Sequence, residues 1–168
     1  MYDIHIANSQ DDIPVNEAFL REVVQRTLEV EEVRAAEISV AVMGNEEIHA
    51  LNRQYLDHDY ATDVLSFLLE CDDPDVVATP NGSPLGQGKT ISGEVIVSAE
   101  MAADRAAEFG WETGDELLLY LVHGLLHLCG YEDHSDAERA LMRSRERDVL
   151  ALWDVVPRES EQLSGNDH

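Results

Sequence analysis

Hydrophobic and polar residues alternate in two segments near the start of the chain, and an apolar pattern of helical period follows each of them. "YDIHIA" alternates as a half-buried strand does, and "VNEAFLREVVQRTLEVEE" then spaces its apolar residues by three and four. "AEISVAVMG" alternates again, and Gly44 and Asn45 open the next helical pattern, with Glu46 and Glu47 in its first turn. The order strand, helix, strand, helix is therefore predicted.

The middle of the chain contains two further apolar runs, "TDVLSFLLE" and "GEVIVS", which we interpret as strands. Between them, "CDDPDVVATPNGSPLGQGKTIS" is rich in Pro, Gly, Asn and Asp and predicts a long loop or flap. Ser98 is placed to cap a helix over "AEMAADRAAEF", and Gly110 is placed to end it.

The next segment, "DELLLYLVHGLLHLC", is apolar on almost every side, which is typical of a helix buried at the centre of a domain. Thr113 and Glu116 predict a capping box at its start. Gly130 is placed to end it in the left-handed region.

Ser135 and Glu138 predict a second capping box, which opens a last helix that ends at about residue 153. Interleaved strands and helices indicate an α/β (α+β) fold, with a mixed sheet of roughly four strands packed with about five helices. We predict a single domain over residues 1–154 and a flexible tail over 155–168. The residues expected to face inward on the last helix are Leu141, Met142, Val149, Leu150 and Trp153.

The composition is strongly acidic, with 35 Asp and Glu against 11 Lys and Arg and a formal net charge of −24. The negative electrostatic field of such a chain disfavours non-specific binding to nucleic acid or to anionic membranes, because that binding depends on Lys and Arg side chains that neutralise phosphates. We therefore expect any polyanionic partner to bind to a local basic patch or through another protein. A salt-tolerant source is a second explanation of the acidity.

The cysteines, Cys71 and Cys129, form no CxxC pair, and the first ten residues lack the basic and apolar regions of a signal peptide. No apolar run reaches the length of a membrane span. A cytoplasmic protein is predicted.

Three histidines fall within the short stretch "LVHGLLHLCGYEDHSD". His123 and His127 are four apart, so a helix places them on one face, where they can chelate one metal ion. A reversal at Gly130 would bring His134 to the same ion. For the HxxxH pair alone, ordinary core or surface histidines are an equally good interpretation. The third histidine favours zinc or a similar borderline cation, with a fourth position open to water, as at catalytic sites.

The spacing resembles the metzincin pattern HExxHxxGxxH, but it departs from that pattern twice. Gly124 stands where the metzincins carry a glutamate general base, and the third histidine comes one residue later. These departures disfavour a peptidase and still permit a metal hydrolase.

The segment "HGLLHLCGYEDH" resembles HGxLHLxGYDH, the signature of the YbeY family of bacterial metal-dependent endoribonucleases. "TDVLSF" and "SGEVIVSAEMA" are similar to further family segments in the same order, so the resemblance covers most of residues 36–145. It implies an α/β fold, one zinc ion held by His123, His127 and His134, and cleavage of single-stranded RNA. The implied process is ribosomal RNA processing, ribosome maturation and quality control.

The chain departs from the family pattern near its expected substrate-binding residues. Leu56 stands where the family usually has an arginine thought to serve the substrate phosphate, and Leu68 where it commonly has a proline. One residue, either Glu132 or Asp133, is inserted before His134. We expect the three-histidine ligand set to survive this insertion, because it falls in a turn.

Arg53 and His58 flank the position of the missing arginine, and we consider both as catalytic residues that compensate for it, since phosphoryl transfer requires cations. For Arg53, an ordinary role on a solvated helix face is the favoured alternative. For His58, which stands where the family commonly has a lysine, an ordinary loop role has equal weight. The last helix also carries Arg139, Arg143, Arg145 and Arg147, for which intrahelical pairing with Glu138 and Glu146 is favoured over phosphate binding.

In "TDVLSF", Asp63 could cap a neighbour or orient a metal-binding histidine, whereas Ser66 is interpreted as structural. Cys129 points away from the histidine face and is predicted to be a buried small residue.

Three functions remain open from the sequence. The first is a zinc-dependent endoribonuclease, the second another metal-dependent hydrolase of peptide or amide bonds, and the third a weakly catalytic, metal-stabilised ribosome-assembly factor. The expected partner is ribosomal RNA or a ribosomal subunit, met through a protein partner, with no binding to membrane or DNA.

Overall fold

The computed structural model describes residues 1–56, 63–72 and 84–157. Within these ranges it contains four strands and five α-helices, which confirms the predicted α/β class with a mixed sheet. In chain order the elements are β1 (Tyr2–Asn8), α1 (Glu17–Val30), β2 (Ala35–Met43), α2 (Asn45–Leu56), β3 (Val64–Asp72), β4 (Thr90–Ser98), α3 (Ala99–Phe109), α4 (Thr113–Cys129) and α5 (Asp136–Leu150), followed by a 3-10 turn (Ala151–Trp153).

The strand order is β1-β2-β4-β3. β1 pairs with β2 and β2 with β4 in parallel, whereas β3 runs antiparallel to β4, with a register shift between Leu68 and Glu70. Parallel neighbours require crossovers, and the helices between these strands supply them.

The main core lies on one face of the sheet, where residues of β1, β2 and β4 pack against α1, α4 and α5. α4 lies at its centre and contacts α1, α3, α5, β3 and β4. Every residue of α4 from Glu116 to Cys129 is buried, which confirms the predicted central helix. The alternate positions Leu65 and Ile96 face the other side of the sheet, where α2 covers them with Ile48.

A glycine allows α4 to lie close to the sheet. A Cβ added at Gly124 would be 2.6 Å from Val95 Cγ1 and 3.3 Å from Val64 Cγ2. Close packing at this point fixes the height of α4 above β3 and β4, and with it the position of the flanking His123.

Most predicted helix ends are confirmed. The side chains of Ser98 and Ser135 accept hydrogen bonds from the backbone N–H groups of Met101 and Glu138, at 3.0 and 3.1 Å. Gly110 and Gly130 end their helices at φ values of 75° and 118°.

The capping box predicted at Thr113 is wrong. The N-cap of α4 is Glu112, which makes no side-chain cap hydrogen bond. The predicted box partner, Glu116, is instead buried and accepts a hydrogen bond from Trp111 Nε1 at 2.9 Å. The inward assignment of Leu141 is also wrong, since this residue is 47% exposed.

None of the helices in the described ranges combines the length and hydrophobicity of a membrane span. Of the predicted flexible tail, residues 155–157 are described and residues 158–168 lie outside the described residues. The division into a domain over 1–154 and a tail stays a prediction.

Candidate metal centre

α4 brings two of the three predicted ligands together. His123 and His127 are buried, at 4% and 7% exposure, and their Nε2 atoms are 3.1 Å apart. Two nitrogens bound to one tetrahedral zinc at about 2.0–2.1 Å lie roughly 3.3 Å from each other. The separation of the two Nε2 atoms is therefore close to what a shared ion requires.

A carboxylate on α5 lies behind the first of these rings. Glu146 Oε2 is 2.6 Å from His123 Nδ1, and both side chains are buried. A carboxylate that is ionised only accepts hydrogen bonds, so Nδ1 carries the proton and the Nε2 lone pair is available. Metal-binding histidines have this arrangement.

This role of Glu146 was not predicted from the sequence, which favoured pairing of Glu146 with arginines on a solvated helix face. The available signal was the spacing: Glu146 lies four residues after Met142 and three before Val149, and all three are buried on one side of α5. A charged residue in the middle of an apolar helix face requires a buried partner.

The electrostatic surroundings of His123 favour positive charge. Burial lowers the pKa of His123, but the hydrogen bond and charge of Glu146, with the charges of Asp63 and Asp133, outweigh it and raise the pKa above its ordinary value. The same carboxylates would stabilise a metal cation.

The turn after α4 returns the chain to the histidines. The N–H groups of Gly130 and Tyr131 donate to the carbonyls of His127 and Leu126, both at 3.1 Å, which closes the helix. Asp133 Oδ2 then lies 3.9 Å from His123 Nε2 and 3.7 Å from His127 Nε2. His123, His127 and Asp133 form a group whose ligand-type atoms all lie within 4.8 Å of one another.

His134 is directed elsewhere. Its side chain is 50% exposed, and its Nε2 lies 3.3 Å from Glu132 Oε2. His134 does not belong to the group formed by the other two histidines in the described part of the chain. The predicted ligand set of His123, His127 and His134 stays a prediction, of which the structure brings two members together.

Of the two predicted catalytic residues, Arg53 and His58, the structure describes only Arg53. Arg53 is exposed in the last turn of α2. His58 lies outside the described residues. The catalytic roles of both stay predictions.

Two of the arginines of α5 bind groups outside their own helix or at its start. Arg139 Nη1 donates to the Asp133 carbonyl at 3.2 Å, and the guanidinium also pairs with Asp136. Arg145 donates from Nε and Nη2 to Glu31 Oε2 at 3.0 and 2.6 Å. The pairing of Arg145 with the fully buried Glu31 was not predicted.

The remaining candidates take structural positions. Asp63 is buried, its Oδ1 accepts from the Val64 N–H at 2.8 Å, and its carbonyl accepts from the Ser98 N–H at 3.0 Å. Cys129 is fully buried, as predicted, and burial raises the pKa of its thiol.

Comparison with known proteins extends the likeness beyond the histidine segment. The sequence profile of the family described as "Endoribonuclease YbeY" matches residues 5–154. A Clostridium botulinum protein of that name is 35% identical over 163 residues, 90% of this chain and 98% of its own. A Salinibacter ruber protein of the same name is 40% identical over 131 residues, 78% of this chain and 79% of its own.

The fold is also similar to that of a solved structure. The solution structure of a Thermotoga maritima protein matches with a TM-score of 0.55 at 25% identity, covering 89% of this chain and 91% of that one. The profile match begins within β1 and ends after α5, so it includes residues of all four strands and both helices of the candidate site. The predicted enzyme class, a nuclease among the hydrolases, is confirmed: the chain belongs to the YbeY family of endoribonucleases.

Proposed function

We propose that this protein is a zinc-dependent endoribonuclease that cleaves single-stranded RNA during ribosomal RNA processing, ribosome maturation and quality control. The observation that carries the proposal is the His123 and His127 pair, with Nε2 atoms 3.1 Å apart and Glu146 fixed behind one ring. The names of the relatives supply the bond class, an RNA phosphodiester.

The donor chemistry fits a borderline cation. Two imidazoles and an additional ligand from the turn after α4 match the three protein ligands of catalytic zinc sites, in which the fourth position is open. When bound, such an ion supplies Lewis acidity to a phosphoryl oxygen and lowers the pKa of a water molecule to about 7.

The protein side chains have separate tasks in this proposal. Glu146 holds the proton on Nδ1 of His123 and keeps the ring from rotating, since it accepts at 2.6 Å from the neighbouring helix. His127 contributes its Nε2 from the next turn of α4. Both rings are buried, at 4% and 7% exposure, so bulk water has little access to them.

The cation that serves the substrate phosphate is assigned to Arg53 or His58. Leu56, which is part of α2, stands between them in sequence and supplies no charge. If a cation is limiting, Leu56→Arg increases the cleavage rate, whereas one of the two variants Arg53→Gln and His58→Gln lowers it. Equal rates in all four proteins would contradict a role for these positions.

The alternative peptidase is disfavoured by packing as well as by sequence. A glutamate at position 124 would place its Cβ 2.6 Å from Val95 Cγ1, so the close contact of α4 with β4 leaves no room for it. A general base of the metzincin type therefore has no place on this helix.

The acidity of the chain indicates how RNA reaches the site. With a formal charge of −24, weak affinity for free RNA is expected, and we propose that a ribosomal subunit or protein partner presents the substrate. Filter binding of naked RNA and of ribosomal subunits across a salt series tests this idea. Tight, strongly salt-dependent binding of naked RNA would contradict it.

The deciding experiment combines metal content with RNA cleavage. The protein is purified without added metal or a histidine tag, as wild type, His127→Ala and the control variant His49→Ala, whose histidine lies on α2 and belongs to neither group of possible metal ligands among the described residues. We expect about one zinc per chain and cleavage of a single-stranded ribosomal RNA fragment in wild type and His49→Ala, with both lost in His127→Ala. Cleavage that persists in His127→Ala, or a wild type that neither binds metal nor cuts RNA, would overturn the proposal.

A further inference from the structure

We infer that Asp133, and not His134, is the third protein ligand of the metal. The inference rests on the proposed metal-dependent function and identifies the residue that this chain uses. It replaces a set of three imidazoles by two imidazoles and one carboxylate.

The geometry of the turn carries the inference. Asp133 Oδ2 is nearly equidistant from the two Nε2 atoms, at 3.9 and 3.7 Å, and its side chain is 13% exposed. The His134 side chain is 50% exposed and directs its Nε2 to within 3.3 Å of a carboxylate oxygen of Glu132. Of the two neighbours, Asp133 therefore faces the histidine pair.

Both ends of the turn are anchored, which fixes this choice. On one side Tyr131 is buried, and its hydroxyl donates to Glu31 Oε2 at 3.1 Å. On the other side Arg139 Nη1 donates to the Asp133 carbonyl, and Ser135 caps α5 at the Glu138 N–H. His134 lies between these two anchors, and its Nε2 is paired with Glu132 and not with the histidine pair.

The count along the chain agrees. Asp133 is the sixth residue after His127, since 133 − 127 = 6, and His134 is the seventh. In the signature HGxLHLxGYDH the third histidine is also the sixth residue after the second. The inserted residue, Glu132 or Asp133, therefore moves His134 one position further along the chain. The sixth position after His127 is occupied by the carboxylate residue Asp133.

A carboxylate ligand changes the charge of the site but not its suitability for zinc. Catalytic zinc is held by two histidines and a carboxylate in other enzymes, and harder cations such as Mn²⁺ prefer oxygen ligands. Relative to three neutral imidazoles, Asp133 lowers the charge of the ligand set by one. Replacing it with histidine should therefore shift the preference from Mn²⁺ towards Zn²⁺.

The test titrates metal into chelator-treated protein and follows Co²⁺ visible absorption and Zn²⁺ affinity by competition with a chromophoric chelator. The variants are Asp133→Asn, Asp133→His and His134→Gln, with His49→Gln on α2 as the histidine control and thermal unfolding as the check of folding. Asp133→Asn is nearly isosteric, so it removes the charged ligand with little change in shape.

We expect Asp133→Asn to weaken Zn²⁺ binding by roughly 100-fold or more, which exceeds the usual effect of removing a residue that only hydrogen-bonds to a metal ligand. Asp133→His restores binding and lowers the Mn²⁺ to Zn²⁺ affinity ratio, and His134→Gln binds within about threefold of wild type. Loss of binding in His134→Gln with retention in Asp133→Asn overturns the inference, as does a wild type that binds no metal. RNA cleavage by the wild type is measured in parallel. If metal binding depends on Asp133 but the wild type does not cleave RNA, the ligand assignment is supported and only the nuclease proposal is refuted.

Discussion

His123 and Glu146 lie 23 residues apart on different helices, and their Nδ1 and Oε2 atoms are 2.6 Å apart in the buried centre of the domain. The contact joins α4 to α5 and fixes which ring nitrogen faces the second histidine. A single hydrogen bond thus connects the packing of the last helix to the geometry of the candidate metal centre.

Loss of this carboxylate should weaken metal binding. We expect Glu146→Ala to lower Zn²⁺ affinity by about 10–100-fold, because the His123 ring loses the acceptor that orients it. Glu146→Gln should lie at the lower end, since its amide oxygen still accepts from Nδ1. The matched control is Glu108→Gln on the exposed side of α3. Equal affinities in all four proteins would show that the hydrogen bond does not affect the site.

The glycine between the histidines should resist enlargement. Gly124→Ala places a Cβ 2.6 Å from Val95 Cγ1, and we expect a net destabilisation of about 1–2 kcal/mol, since overpacking outweighs the gain in helix propensity. Gly114→Ala in the same helix meets nothing within 4 Å and should be stabilising by up to about 1 kcal/mol. Urea unfolding of the metal-free proteins measures both, and a Gly124→Ala protein as stable as wild type would argue against close packing here.

The buried ion pair predicts a large effect on stability. Arg145→Met leaves the carboxylate of Glu31, which is fully buried, without its cation, and we expect a cost of about 3–5 kcal/mol. Arg147→Met, on the exposed face of α5, should change stability by less than about 0.5 kcal/mol. The double variant Glu31→Gln with Arg145→Met should recover part of the loss. Similar denaturation midpoints for the two single arginine variants would contradict the prediction.

The two thiols should differ in reactivity. Cys71 is exposed, whereas Cys129 is fully buried and burial raises the pKa of its thiol, which disfavours the reactive thiolate. We expect one thiol per folded chain to react with a disulfide reagent near neutral pH, and two after denaturation. Rapid modification of Cys129 in the native protein, located by peptide mapping, would show that the end of α4 opens readily.

Bound metal should stabilise the folded chain. Zinc at about 100 times its dissociation constant adds about 2.7 kcal/mol when only the folded state binds it. We therefore expect a chelator to lower the melting temperature of wild type and to leave that of His127→Ala unchanged. An equal response of the two proteins would place the stabilising metal elsewhere.

Local spacing in the sequence was sufficient for much of this architecture. The apolar pattern of α4 predicted a central buried helix, and the four-residue interval placed His123 and His127 on one face, because a helix repeats every 3.6 residues or so. Gly110 and Gly130 marked helix ends for an equally local reason, since their φ values are positive.

Contacts between segments that are distant in sequence could not be predicted from local spacing. Glu146 has a place in an apolar helix face only because α5 packs against α4, and Glu31 is paired with a residue 114 positions away. The capping box expected at Thr113 failed for a related reason, since Trp111 holds Glu116 in the packed structure.

The sequence alone determined the burial of α4, the positions of the strands and the placement of His123 and His127 on one helix face. All three depend on the spacing of residues within one element. Only the tertiary structure decided which residue of the following turn faces that pair. A turn has no period, so the orientation of Asp133 and His134 depends on the anchoring of Tyr131 by Glu31 and of the Asp133 carbonyl by Arg139.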